Sequence, residues 1–305
     1  MSFVMSNGAR LAYDEAGQAG QAGQAGREAG QTGQAGEADG FPTVVLTHGG
    51  LGDRRMWDHQ FRALARRGRV VRYDMRGLGE SEDAEGEFSR SEDLLGLLDA
   101  LDIEQAVLVG NSIGGAYSIE AALSAPERVR GLVLICSGLT EYDWPEEMTA
   151  EIGHLVEEAV PAERMARYWQ RTAEYVDPAD VRAIAEVNVR YMVAGPKRGL
   201  DDLVPEVREL ALEMCQGNFQ REWSVPRYQE RFQQPPIIDR LRELAMPTLI
   251  VNGRYDPSPI QEIADLLAVR IPRARRIDLD AGHLPSIERP EETTDALLEF
   301  VAGIS

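Results

Sequence analysis

Val107-Leu-Val-Gly110-Asn111-Ser112-Ile113-Gly114-Gly115 is the stretch on which the reading of this chain turns. An apolar run enters it and a helical pattern leaves it, so its G-x-S-x-G falls on a sharp strand-to-helix turn. Such a turn strains its central residue, and small residues two before and two after avoid clashes. Ser112 would then stand above a sheet, at the start of a helix whose partial positive end favours a developing anion. Taken alone, the stretch also fits a glycine-rich turn with an incidental serine.

On either side, short runs rich in Val, Ile and Leu alternate with amphipathic segments. The runs are 43–47, 69–73, 106–109, 129–135, 248–251 and 276–279; the helical segments lie near 53–66, 91–101, 113–123, 259–269 and 290–301. This alternation predicts an α/β fold with a mostly parallel central sheet flanked by helices, its reactive groups in loops at the carboxyl ends of the strands. Between about 139 and 240 the alternation stops and the text becomes helical, broken by Pro145, Pro161, Pro196, Pro205, Pro226 and Pro235-Pro236. A helical cap over 139–240 is therefore expected, inserted in a core made of 1–138 and 241–305. The cap holds ten of the twenty aromatic residues. Trp144, Trp169 and Trp223, with Gly49, are candidate substrate contacts, although packing between helices accounts for most aromatics of this kind. Residues 16–40, an Ala/Gly/Gln near-repeat without a large apolar side chain, bury too little to offset their ordering entropy and predict a flexible loop.

A serine hydroxyl is a weak nucleophile near neutrality, so Ser112 needs a base and the base an orienting acid. The chain has four histidines, His48, His59, His154 and His283. His283 follows the last apolar run, where a final strand delivers a base to the sheet edge. Asp256, in Asn252-Gly-Arg-Tyr-Asp-Pro257, follows the preceding strand in a turn-forming context. The order Ser112, Asp256, His283 is the one expected of this architecture; Glu141 and Asp143 are alternative acids. Acyl transfer also needs donors aimed at an oxyanion. The amides of Gly50, in His48-Gly-Gly50, and of Ile113 are the candidates. His48 reads as a loop-shaping residue rather than a second base, and Asp74 and Arg76 in Asp74-Met-Arg-Gly-Leu-Gly-Glu-Ser81 read as loop-fixing charges.

Composition sets the outer limits. Over 305 residues, 51 acidic against 32 basic side chains give a formal charge of −19, which argues against nucleic acid as a partner because phosphate neutralisation needs a basic face. With 43% hydrophobic residues, a chain this long can bury roughly 75% of its unfolded surface, enough for a substantial core. Cys136 and Cys215 make neither a disulfide framework nor a zinc pattern, so no metal is expected. No secretory leader or membrane span is read, and the expectation is a soluble, cytoplasmic protein. Lys197 is the single lysine; this arginine bias fits GC-rich codon usage or adaptation to high salt.

Together these pieces resemble the α/β-hydrolase fold: HGG at 48–50, DMRGLGES at 74–81, GNSIGG at 110–115, NGRYDP at 252–257 and AGHLPSIERP at 281–290. The resemblance implies Ser112 as nucleophile, Asp256 as acid, His283 as base, and Gly50 and Ile113 as oxyanion donors. Within the family, RRMWDHQFRALARRGRVVRYDMRG resembles 3-oxoadipate enol-lactonases, whereas GNSIGG resembles hydrolases that cleave carbon–carbon bonds of ring-fission products. Family members with an aspartate nucleophile, dehalogenases and epoxide hydrolases, differ at position 112. Perhydrolase-type members often carry an aromatic residue where Gly50 stands. No phosphate loop or dinucleotide fingerprint is present, so no cofactor is implied. The expected partner is a small molecule, an apolar ester or lactone; carbon–carbon cleavage of ring-fission or β-diketone substrates and a slow-turnover ligand receptor are the rival readings.

Overall fold

Runs of β-branched and aliphatic residues with almost no polar interruption belong in strands covered on both faces. In a computed structural model that describes residues 1–17 and 41–304, these runs form the middle of an eight-stranded sheet. The chain contains β1 (Ser2–Ser6), β2 (Ala9–Ala16), β3 (Val44–Thr47), β4 (Val70–Tyr73), β5 (Glu87–Phe88), β6 (Ala106–Asn111), β7 (Val129–Ile135), β8 (Gln229–Glu230), β9 (Thr248–Gly253) and β10 (Ala274–Leu279). The large sheet has the order β1-β2-β4-β3-β6-β7-β9-β10, and β4 through β10 in that order run parallel. Every residue of β3, β6 and β9 is buried.

The helices are α1 (Asp58–Leu64), α2 (Arg90–Ala100), α3 (Ile113–Ser124), α4 (Glu146–Ala159), α5 (Ala162–Trp169), α6 (Pro178–Asn188), α7 (Pro205–Ser224), α8 (Ile237–Arg240), α9 (Ser258–Arg270), α10 (Pro285–Glu288) and α11 (Pro290–Ala302). Alternate strand residues divide the core in two. Val45, Leu108, Leu134 and Ile250 pack with Leu94 and Leu98 of α2, Ile119 of α3 and Leu267 of α9. Val44, Val107, Val133 and Leu249 pack on the other face with Trp57, Leu64 of α1 and Leu297 and Val301 of α11. Ser89 starts α2 by accepting from the Glu92 amide, an N-cap of the usual kind.

Two findings adjust the expectations. The first is an N-terminal hairpin: β1 and β2 are antiparallel about Asn7 and Gly8, both at positive φ (45° and 81°), and β2 runs antiparallel beside β4. Ala16 therefore ends a strand instead of opening a loop, and 18–40 of the predicted flexible segment lie outside the described residues. The second is β8, a two-residue strand within the predicted helical stretch, paired with β5. Otherwise 139–240 supplies α4 to α8 and a π-helical turn, Val189–Ala194, between α6 and α7. Val160, Met165, Tyr168, Val181, Ile184 and Trp223 form a satellite core there. Among the described residues, no helix is long and apolar enough to cross a membrane.

The sheet order matters for the site. Since β3 pairs with β6 (Thr47 opposite Gly110), the loops beginning at His48 and Ser112 emerge side by side. Following β6, β7 and β9 along the sheet edge leads to Cys136, Asp256 and, beyond β10, His283.

Candidate active site

Strand β6 ends at Asn111 and α3 begins at Ile113, leaving Ser112 alone at the bend with φ 54° and ψ −125°. A non-glycine residue in this region costs on the order of 1–3 kcal/mol, and it persists because its peptide groups are pinned. The Ser112 amide donates to the Ile135 carbonyl (3.0 Å), and its carbonyl accepts from Gly115 and Gly138 (both 2.9 Å). The flanking glycines are dictated by contact: a methyl group at Gly110 would lie 2.3 Å from the Gly114 carbonyl oxygen, and one at Gly114 2.4 Å from that of His48. The Ser112 hydroxyl has no hydrogen-bond partner among the described residues and is half-buried.

His283 and Asp256 meet directly. Nδ1 of the imidazole lies 2.9 and 3.0 Å from the two carboxylate oxygens, and both residues are buried, at 2% and 3% exposure. A carboxylate only accepts, so Nδ1 carries the proton and Nε2 is left able to receive one. Burial pushes the Asp256 carboxyl above the usual carboxylate range, against the opposing pull of His283. The alternative acid Glu141 instead accepts from Gln234 (2.6 Å) at the surface, and Asp143 is exposed.

The elbow and the imidazole loop are tied by a residue the sequence reading left without a firm role. Asn111 donates through Nδ2 to the His283 carbonyl (2.9 Å) and to that of Ile135 (3.1 Å), although 172 positions separate it from His283. Its Oδ1 is buried without a partner.

Across the elbow, Gly50 is exposed, and the Gly50 and Ile113 amides have no intrachain acceptor among the described residues. Gly49, by contrast, is buried: a methyl group there would approach Ser112 Cβ to 3.0 Å. The Gly50 loop is fixed by Asn218 of α7, whose Nδ2 donates to the carbonyls of Gly50 (3.1 Å) and Gly52 (2.8 Å). His48 is satisfied on both sides. Its Nε2 accepts from the Met75 amide (3.0 Å), its Nδ1 lies 2.8 Å from the Gly49 carbonyl, and burial holds it below the usual histidine range. It braces the loop and has no free nitrogen for a base. Asp74 accepts from the Arg54 and Glu80 amides and from the Arg54 guanidinium, and Arg76 grips Asp93 with two donors (2.6 and 2.9 Å). Both fix the loop after β4 against its neighbours, Asp74 against the turn at Arg54 and Arg76 against α2 and the Asn7 carbonyl.

Beside the Asp256–His283 pair lies Cys136, which no local sequence pattern marked. Its thiol is 3.6 Å from the Gly282 carbonyl, and burial together with Asp256 raises it well above the usual thiol range. Cys136, Asp256 and His283 have ligating atoms within 4.8 Å of one another, but Asp256 and Nδ1 are already spent on each other. Of the three tryptophans, Trp223 is 2% exposed and stacks on Tyr168 at 4.9 Å within the satellite core. Trp169 meets Trp223 edge-on and is half exposed, and Trp144 stands edge-on against Tyr142 near the surface.

A family model described as alpha/beta hydrolase fold matches residues 42–290. The dihydrolipoyllysine-residue acetyltransferase component of the acetoin cleaving system of Pseudomonas putida is 33% identical over 86% of this chain, which spans 64% of that longer relative. 3-Oxoadipate enol-lactonase 1 of Acinetobacter baylyi is 25% identical over 86% of this chain and 90% of its own length. 2-Hydroxymuconate semialdehyde hydrolase of a Pseudomonas strain is 39% identical over 38% of this chain and 43% of its own. Among solved structures, a thermophilic esterase from Thermogutta terrifontis superposes with a TM-score of 0.68, covering 99% of this chain and 98% of that one at 23% identity, a likeness of fold.

Proposed function

The chain belongs to the α/β-hydrolase fold family, and from that premise we propose that it is a serine hydrolase cleaving small or medium carboxylic esters or lactones through an acyl-enzyme on Ser112. The observation that carries the reading is the strained Ser112, its hydroxyl without an intrachain partner, on an elbow that Asn111 ties to the His283–Asp256 pair. Nε2 of His283 takes the serine proton as Oγ attacks the carbonyl carbon, while Asp256 holds the ring and stabilises the imidazolium. The negative charge that forms on the carbonyl oxygen is met by the amides of Gly50 and Ile113, which need not break another bond to turn toward it, and by the positive end of α3. The imidazolium gives its proton to the leaving oxygen. Water, deprotonated by the same nitrogen, then releases the acid and restores Ser112.

Resting hydroxyl-to-imidazole bonds of this kind commonly tighten only when substrate arrives, consistent with an unpaired Oγ. In this reading residues 139–240 act as a cap that shapes the pocket for an apolar substrate. Ser112→Ala should abolish turnover of a p-nitrophenyl short-chain ester and labelling by a fluorophosphonate while preserving the melting transition; undiminished turnover removes the proposal.

Carbon–carbon bond cleavage is the second reading, favoured by the likeness to 2-hydroxymuconate semialdehyde hydrolase in part of the chain. Loss of a dienol chromophore on mixing with a ring-fission product, faster than ester hydrolysis, would select it.

A further inference from the structure

The base-bearing loop is held from outside the sheet, by the segment that follows α6. The main chain at 192–195 lies directly against the loops carrying the acid and the base. The His283 amide donates to the Met192 carbonyl (3.2 Å), a methyl group at Gly282 would lie 2.0 Å from the Val193 carbonyl oxygen, and one at Gly195 would lie 1.9 Å from that of Tyr255. With no room for side chains at these contacts, the fixing is done by one that starts just beyond them, Arg198.

Its guanidinium reaches both loops, the acid's directly and the base's through Glu288. It lies 4.0 Å from the centre of the Tyr255 ring, next in sequence to Asp256. Its Nη1 donates to Glu288 Oε1 (2.7 Å), and the other oxygen of that carboxylate accepts from the amide of Gly282, next to His283 (2.8 Å). Its remaining donors point back to its own segment, Nε to the Ala194 carbonyl (2.5 Å) and Nη2 to that of Val193 (3.4 Å). Arg198 and Glu288 side chains are only 16% and 7% exposed. A buried pair is weak evidence for stability as such, but losing one partner strands a charge in a poorly solvated place. Here the stranded charge would be Glu288, one hydrogen bond from the peptide that carries the base.

We propose that Arg198 is a positioning residue for the catalytic base: by clamping Glu288 and Tyr255 at once, it sets the His283 loop against the Asp256 loop and keeps the imidazole aimed at Ser112. The proposal rests on the serine hydrolase reading and extends it to the insertion, which thereby orients the triad as well as covering it. Among the described residues, the charged or titratable groups packed about the base-bearing loop include Asp256 and Tyr255 from the loop after β9, Cys136 from just beyond β7, Glu288 from α10 and Arg198 from the insertion.

The test compares Arg198→Met, Arg198→Lys, Glu288→Gln and the Met/Gln double variant, using a p-nitrophenyl ester across pH with melting curves alongside. In Arg198→Met, kcat should fall roughly 10- to 100-fold, the cost of a misplaced reacting group, with KM within about twofold of wild type, the pattern of an interaction that matters in the transition state. The acid limb of kcat should move to higher pH, because the unpaired Glu288 anion favours the imidazolium. Removing both charges in the double variant should return the limb toward wild type while kcat stays low, and Glu288→Gln alone should lower kcat without raising the limb. Arg198→Lys keeps the charge but not the planar fork, so it should hold the limb and recover part of kcat.

A folded Arg198→Met with kcat and limb unchanged overturns the clamp, as do losses that follow melting temperature alone across the four variants. Failure of a fluorophosphonate to label wild-type Ser112 sinks the hydrolase reading instead. The clamp is then judged by the downfield proton resonance of His283 Nδ1–H: loss or shift in Arg198→Met sustains it, and an unchanged signal overturns it.

Discussion

Replacing Asp256 with Asn separates the proposed catalytic use of this carboxylate from its effect on stability, and the two should move in opposite directions. Both oxygens face Nδ1 at 2.9 and 3.0 Å, so the ring is held with Nδ1 protonated and Nε2 open. An amide of the same shape can offer its NH2 to that nitrogen, which favours the tautomer bearing hydrogen on Nε2, where no proton can be taken from Ser112. Loss of the correct tautomer costs about 10⁴ in turnover, or roughly 5.5 kcal/mol of transition-state stabilisation.

Stability follows from the raised acidity range of the buried carboxyl. The folded state keeps this proton to a higher pH than the unfolded state does. As pH climbs from the unfolded value through the folded one, the unfolded chain releases its proton first, and wild type loses stability. Asn has no proton to lose, so above the ordinary carboxylate range Asp256→Asn should melt at the wild-type temperature or above it, with a flatter pH profile than wild type. Initial rates on a p-nitrophenyl ester and circular-dichroism melts across pH provide the check. Activity within tenfold of wild type, or a melting point several degrees lower near pH 7, would refute the reasoning.

Other perturbations probe the neighbouring parts. Gly49→Ala puts a methyl group 2.5 Å from Asn111 Oδ1 and 3.0 Å from Ser112 Cβ, so fluorophosphonate labelling should slow at least tenfold, part of the roughly 10²–10³-fold lost when one oxyanion donor is removed outright; a wild-type labelling rate would count against the proposed loop. His48→Ala leaves the Met75 amide and the Gly49 carbonyl unpaired in a buried site, at about 1–3 kcal/mol each, so urea midpoints should drop while the folded fraction still labels at Ser112. His283→Ala should do the reverse, with labelling lost and a smaller change in midpoint. Asn218→Leu, which removes both donors to the Gly50 loop, should lower kcat more than it raises KM; an increase in KM alone would show α7 touching substrate without bracing the loop.

Much of this was legible in the linear text because it is governed by short-range rules. The strands that carry the loops are unbroken Val, Ile and Leu runs, which only a doubly covered sheet accommodates, and the elbow announces itself through the glycines its contacts demand. The N-terminal hairpin had its own signal, an Asn7-Gly8 pair between alternating residues, whose two positive φ angles are what such a pair is chosen for. Strand β8 had none: two residues, Gln229 and Glu230, extend because β5 lies beside them. The supporting residues were invisible for the same reason. Asn111, Asn218, Cys136 and Arg198 act on partners far along the chain; Asn111 stands beside the marked serine, but nothing local reveals its bond to His283, and nothing in the neighbours of the other three distinguishes them from ordinary polar or buried positions. Trp223 shows the converse: an aromatic residue in a presumed cap drew notice as a ligand contact, and in the fold it fills the satellite core with Tyr168.

On the proposed mechanism, the sheet order also sets when, during synthesis, this protein can begin to work. A nascent chain that has just released β7 from the ribosome already owns the bend and its hydroxyl, yet the imidazole that would awaken it belongs to a loop still untranslated. Domains that close around contacts this distant assemble slowly and late. Chemistry should therefore switch on only after β10 has docked beside β9, so a polysome-bound fragment stopping short of position 283 would carry a primed but silent serine.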